Sequence, residues 1–429
     1  MGEKGNIDFL LFGYNGVNNT GSEAKLLTTI ADLREIVGKN LNRLGSITIL
    51  TQNIENQRRY VPDPEINLIQ ISPASLVRPW ALVRQRSDIL LLSEGSTFID
   101  HFSSIFIWMF CYAARFAKRR GSGVVAYAND CGHLLPRNQK ILRDTINKSV
   151  DLAMLRNPDA IDRMKEYGVT RDIHLVADGA YMYPTPSREY IQGIWKGLNL
   201  EPDKRPVVGI CPKEFFWWPV KIKFIGPKED LYNWPAYQSW TKEGRENSQS
   251  YVDQNAAYAD WCVEKFGADV ALISMEHMDY PPTRRIFEAM KHRDNARIVS
   301  SDEFTVDGIV AVLSALKFQV TTRYHSTVLA SPFGVPMISV SSDTRCEAVF
   351  HELDAMDYFI DYVKHPNRYP EVKDLLGLLV EKTESLMKGE DAWRAKAKDA
   401  HQVFLNRALS IRTHFQEWLE KEYLPGANL

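Results

Sequence analysis

Short apolar runs recur along this chain, and between them the apolar residues fall at helical spacing. In the first half the runs cover residues 7–13, 46–51, 66–71, 88–93, 123–128, 151–156 and 173–178. In the second half they cover 206–211, 268–274, 296–300, 318–322 and 336–341. Continuous β-rich runs, rather than alternating ones, belong to strands buried on both faces, which means parallel sheets with helices on either side. The fold class expected is therefore α/β, with two doubly wound Rossmann-like domains facing each other across a cleft. The proline- and charge-rich stretch 184–205 separates the halves and reads as a linker with a short helix near Tyr190–Gly197. The expected division is 1–183, linker 184–205, 206–389, and a long amphipathic helix in 390–429 that packs back on the N-terminal domain.

Bulk properties narrow the function. A net charge of −2 gives no global attraction to nucleic acid. Five scattered cysteines, with no CxxC pair, indicate neither a disulfide framework nor a zinc site. Cys131 and His133 lie close together, but two ligands do not make a metal site. The first residues lack the basic and apolar regions of a signal peptide, so a cytoplasmic enzyme is expected. The uncharged run 102–114 is too short to span a bilayer, which needs about 20 apolar residues. It reads as a buried helix, with peripheral membrane contact as the alternative.

Residues 212–250 break the rhythm. They read as one long connection before a helix beginning near Tyr251. Trp217, Trp218, Trp234 and Trp240 lie in it. Either their indole faces stack on sugars and select an acceptor, or they pin the segment to its domain; both readings stay open.

Two turns carry chemistry. After the first run, GYNGVNNTGSEA is rich in glycine and asparagine, and a helix is expected to start near Ser22 as N-cap with Glu23 in its first turn. After the run ending at Thr322, Arg323, Tyr324 and His325 stand before a short helix, at the carboxyl end of a strand where doubly wound sheets bind ligands. An arginine fork, helix N–H groups and an imidazole suit an anion that must also receive a proton.

Taken together these segments resemble the polysaccharide pyruvyl transferase family. The resemblance rests on Gly13, Tyr14, Gly16, Asn19, Gly21, Glu23 and Ala24, with Ser22 where Asp is usual. It continues through Ser93, Gly95, Ser96 and Asp100, then Arg156 and Asn157, then Asp178, Gly179, Ala180 and Tyr181. It ends with Arg323, Tyr324 and His325 followed by Gly334, Val335 and Pro336, and runs from about residue 9 to 362. The resemblance implies a fold like that of two-domain GT-B glycosyltransferases. It also implies phosphoenolpyruvate as donor substrate, with no further cofactor, and a sugar or lipid-linked glycan as acceptor. The product would be a pyruvate ketal, with phosphate released.

On that reading Arg323 holds the donor, with Tyr324, Ser326 and Lys213 beside it. His325 protonates the methylene carbon, and Asp100 orients or deprotonates the acceptor. Asn19, Glu23, Glu94, Ser96, Trp217 and Trp218 line the acceptor side. Asp100 could equally be a helix-start carboxylate. The chain departs from the family in four places: Glu94 where Gly is usual, Lys213 near a usual Arg, NDCGH at 129–133, and Pro332 after the histidine. The competing functions are a nucleotide-sugar glycosyltransferase of the same architecture and a non-catalytic carbohydrate-binding member.

Overall fold

The computed structural model describes residues 5–71, 84, 87–100, 103–214, 216–341, 343–363, 370 and 372–426. The chain forms two compact units. The first comprises residues 1–17, 22–183 and 404–429, and the second residues 18–21 and 184–403.

The first unit is built on a seven-stranded sheet of β1 (Ile7–Phe12), β2 (Leu44–Thr51), β3 (Asn67–Gln70), β4 (Ile89–Leu92), β5 (Gly123–Asn129), β6 (Leu152–Leu155) and β7 (Ile173–Leu175). Its order is β3-β2-β1-β4-β5-β6-β7, and every pairing is parallel. Every residue of β4, β5 and β6 is buried, so both faces are covered, as continuous apolar runs require. The order reverses between β1 and β4, which makes the turns after those strands the topological switch point.

The run 102–114 lies, except for Phe102, among the described residues. It forms the helix Ser104–Arg119, with the Ser103 hydroxyl accepting from Ile105 N–H at 3.2 Å. One face fills the core through Ile107, Phe110 and Ala114, and the Phe110 ring packs tilted against Phe12 with centroids 4.4 Å apart. Its basic C-terminus offsets the helix dipole, and Lys118 pairs with Asp151 at 2.6 Å. Among the described residues no helix is long and apolar enough to cross a membrane.

The helix Glu390–Trp418 is continuous, and from Phe404 it belongs to the first unit. There Phe415 packs edge-on against Phe9 and Tyr127, while Asp32 accepts from Arg412 Nε at 2.6 Å and Tyr127 Oη at 2.7 Å.

The second unit has the main strand β8 (Val207–Cys211), a minor sheet of β9 (Lys221–Ile222), β10 (Leu231–Asn233) and β11 (Ala236–Tyr237), and then β12 (Asp269–Ser274), β13 (Ala296–Ser300), β14 (Leu316–Thr321), β15 (Met337–Ser341) and β16 (Phe359–Asp361). The main sheet is parallel, in the order β13-β12-β8-β14-β15-β16. Its reversal lies between β8 and β14. Each apolar run expected to be a strand is one; β16 was not expected.

Several local expectations need correction. The helix after β1 runs Thr20–Leu33, so it starts before Ser22. The helix Lys242–Phe266 starts well before Tyr251, because Thr241 caps it by accepting from Gly244 N–H at 2.9 Å. Residues 212–250 are not a plain connection, since they carry the minor antiparallel sheet. The stretch 184–205 falls within the second unit and holds the short helix expected there. Its helix Arg188–Gly197 is capped by Ser187, and Trp195 Nε1 donates to the Ala311 carbonyl at 2.7 Å.

Candidate active site

In the first unit the motif residues meet at the switch point. The Glu23 carboxylate is fully buried and accepts from Gly16 N–H at 2.9 Å and Gln57 Nε2 at 2.7 Å. Burial pushes its pKa up to about 7, against the pull of those two donors. Gly16 adopts φ +78°, where a side chain would also collide with Thr51. Glu94, the departure from the family pattern, bridges both turns. It accepts from Tyr14 N–H at 3.2 Å, Ser22 Oγ at 3.2 Å and Ser96 N–H at 3.0 Å. Its charge is thus met by three local donors.

Beneath these turns lies a buried ion cluster. Arg156 Nε donates to Asp130 at 3.0 Å, and Arg156 Nη1 pairs with Asp178. A Cβ on Gly95 would overlap the Arg156 guanidinium, so the glycine of the second motif is there for this contact. Lys25 Nζ donates to the Ala128 carbonyl at 2.6 Å, and burial draws its pKa down to about 8. Asp100 is buried beside the start of the helix Pro136–Ser149, its Oδ2 accepting from Leu135 N–H at 2.9 Å and Asn138 Nδ2 at 2.6 Å. Asp100 lies in the first unit and His325 in the second.

The second unit collects charge at the carboxyl ends of four neighbouring strands. Lys213 follows β8, Glu276 and Asp279 follow β12, Arg323 follows β14, and Asp343 and Arg345 follow β15. Arg323 Nε donates to Asp279 at 2.7 Å, its Nη2 pairs with the same carboxylate, and its Nη1 meets Glu276 at 2.9 Å. Burial opposes the Arg323 charge, but Asp279 and Glu276 outweigh it and hold the guanidinium protonated above its ordinary range. Burial raises the Asp279 carboxyl to about 6 despite Arg323. Lys213 is buried with its Nζ 4.6 Å from the centre of the Trp218 ring. Burial first, and Arg323 next, lower its pKa to about 7. Arg345 grips Asp343 with both Nε, at 2.7 Å, and Nη2, and lies over the Tyr324 ring at 5.7 Å. Three cations and three carboxylates therefore share one buried neighbourhood on both sides of the switch point.

His325 is the second residue of the helix Tyr324–Ala330, with Arg323 as its extended N-cap. Tyr324 and His325 were expected before the helix, but the chain is already helical from Tyr324, so only Arg323 precedes it. His325 and Glu276, the carboxylate paired with Arg323, both meet the short segment 18–21. Asn19 Nδ2 donates to Glu276, the partner of Arg323, at 3.0 Å. A Cβ on Gly21 would fall inside the His325 ring. Tyr324 packs edge-on against His325 at 5.0 Å. Ser326 lies in the first turn of that helix, and its hydroxyl bonds to Thr321 Oγ1 and donates to the Arg323 carbonyl at 2.9 Å. The helix has seven residues before Ser331–Phe333 tightens around Pro332, so its main-chain support for an anion is small. Trp217 and Trp218 are 4% and 7% exposed and pack edge-on at 5.8 Å, so neither presents a free face for a sugar.

Sequence reasoning missed Glu276, Asp279, Asp343 and Arg345. Their signal was position, since each follows a parallel strand of the main sheet.

The polysaccharide pyruvyl transferase family matches residues 34–344. The chain belongs to that family. The matched span holds Asp100, Arg156, Lys213, Arg323 and His325, and the turn at 13–24 precedes it. No curated protein sequence matches this pyruvyl transferase family member. Solved structures resemble it in fold. MnaA of S. aureus with UDP is 10% identical, with TM-score 0.60, covering 96% of each chain. HepE of Anabaena with UDP-glucose is 12% identical, with TM-score 0.57, covering 96% of this chain and 99% of that one. The UDP-GlcNAc 2-epimerase of Neisseria meningitidis is 12% identical, with TM-score 0.57, covering 94% and 99%. The fold class is thus the GT-B-like pair of parallel α/β sheets.

Proposed function

We propose that this chain transfers the pyruvyl group of phosphoenolpyruvate to two hydroxyls of a sugar or glycan, releasing phosphate. The observation that supports the reading most is the gathering of Lys213, Arg323 and Arg345 after β8, β14 and β15 in a chain of this family. A small, multiply charged anion needs several fixed cations, and a guanidinium offers a planar fork. Arg323 has five N–H groups, three of them engaged by Asp279 and Glu276, which hold its plane in place.

In this mechanism His325 donates a proton to the methylene carbon, leaving a cationic centre at C2. One sugar hydroxyl attacks C2 and loses its proton. The C2–O bond to phosphate then breaks, phosphate carries off one proton, and the second hydroxyl closes the ketal as it loses its own. Asp100 is the candidate that orients or deprotonates an acceptor hydroxyl, through the carboxylate oxygen that does not accept from Leu135 and Asn138. Lys213 takes the place of an arginine and contributes a point charge whose protonation responds to the donor. No cofactor is required by these steps.

A nucleotide-sugar reading has one observation in its favour: the fold neighbours were solved with UDP or UDP-sugars. A thermal-shift comparison separates the two. Phosphoenolpyruvate at 100 times its Kd should stabilise the protein by about 2.7 kcal/mol. Stabilisation by UDP instead, without phosphate release from phosphoenolpyruvate in the presence of glycan acceptors, would overturn the proposal.

A further inference from the structure

The loop between β9 and β10 exposes apolar side chains to a degree found nowhere else among the described residues. Phe224 is 77% exposed, Ile225 91% and Trp234 48%, with Ile222 and Leu231 also exposed. The other exposed large hydrophobics, such as Ile54, Tyr190 and Val403, are scattered singly along the chain. The arrangement is ordered. Lys223 N–H donates to the Pro235 carbonyl at 2.9 Å, Trp234 Nε1 donates to the Phe224 carbonyl at 3.4 Å, and the two rings meet edge-on at 6.5 Å. The minor sheet thus presents a fixed tip. Lys221, Lys223 and Lys228 flank it and are exposed. Of the nearby acids, Asp230 is met by Arg245 at 3.1 Å and Glu229 stands exposed, so the rim is basic on balance.

We propose that this tip docks on an anionic lipid bilayer. Phe224 and Ile225 would enter the headgroup–acyl boundary, Trp234 would lie at the interface with its amphipathic ring, and the lysines would meet lipid phosphates. An exposed aromatic and aliphatic pair ringed by lysines matches a negatively charged apolar interface. A purely apolar partner surface would leave the basic rim without a counterpart. The proposal replaces the run 102–114 as the point of membrane contact, since that helix fills its own core. It stands whether or not the donor is phosphoenolpyruvate.

The test is co-sedimentation of the full chain with vesicles of phosphatidylcholine and phosphatidylglycerol, against pure phosphatidylcholine. Binding should require the anionic lipid. F224S/I225S should lower partitioning about tenfold or more, and K221E/K223E should cost at least about fivefold per lysine and weaken the preference for anionic vesicles. Circular dichroism checks that the variants fold. Should F224S/I225S unfold, quenching of wild-type tryptophan fluorescence by brominated lipid, reduced in W234F, decides instead. No binding to anionic vesicles overturns the proposal, as does binding that survives F224S/I225S. Concentration-dependent dimers lost in F224S/I225S without vesicle binding would also overturn it, in favour of a second copy of the chain.

Discussion

Arg323 and His325 make different claims, and single substitutions separate them. Arg323→Lys keeps a cation beside Asp279 and Glu276 but loses the fork, so the fold should survive while donor KM rises about tenfold or more; an unchanged KM removes Arg323 from the site. His325→Asn can still hydrogen-bond but cannot protonate carbon. It should lose about 10²–10⁴ in kcat with donor binding nearly intact. A loss of affinity with kcat preserved would make His325 a binding residue. Lys213 adds a pH signature. Its amine is lowered to about 7, so it is largely neutral above that pH. An arriving anion favours the charged form, so donor binding at pH 8 should take up a proton, and affinity should weaken as pH rises from 7 toward 9. Calorimetry in buffers of different ionisation enthalpy measures that uptake. If uptake is the same in Lys213→Met, another group carries it.

At the scale of elements, legibility followed the strength of the local signal. Runs such as ILLL in β4 and VVGIC in β8 could be read because strands buried on both faces need unbroken apolar residues. β16 escaped notice because FID is short and ends in a polar residue. The helix start was misplaced because Ser22 looks like a cap, yet its hydroxyl donates to Glu94, a partner distant in sequence. The pairing of Arg345 with Asp343 is hidden for the opposite reason: D-T-R resembles any helix N-terminus, and only the position after β15 marks it. The tryptophans of 212–250 were ambiguous because composition does not say which way a ring faces. Burial now separates them. Trp217→Ala should destabilise by about 3–5 kcal/mol, whereas Trp234→Ala should stay within about 0.5 kcal/mol. Denaturant melts of the two variants check this, and a stable Trp217→Ala would return that indole to the candidate sugar contacts.

For the whole molecule, the buried groups at the first switch point predict an unusual pH profile. Glu23 has an ordinary carboxyl pKa near 4.5 when unfolded and about 7 when folded, chiefly through burial. Between those values the native state holds more protons than the unfolded one, so this group's contribution falls as pH rises from 4.5 to 7. Lys25 behaves in mirror image. Burial lowers it from 10.5 to about 8, so the unfolded state holds more protons between 8 and 10.5, and its contribution recovers as pH rises through that window. Both penalties are therefore at full strength between about pH 7 and 8. A polar cluster kept at that cost is what a site tuned for charge, rather than for stability, would contain. Glu23→Gln tests the argument directly. The amide keeps an oxygen for Gly16 N–H, and the Gln57 amide can turn to accept from it, so packing is preserved while the buried charge is removed. The variant should match wild type at pH 4.5 and exceed it at pH 8, by up to about 3 kcal/mol from the size of the shift. Urea melts at the two pH values measure the difference. An equal change at both pH values would mean that Glu23 acts through its hydrogen bonds alone and that its charge state does not govern the stability of the fold.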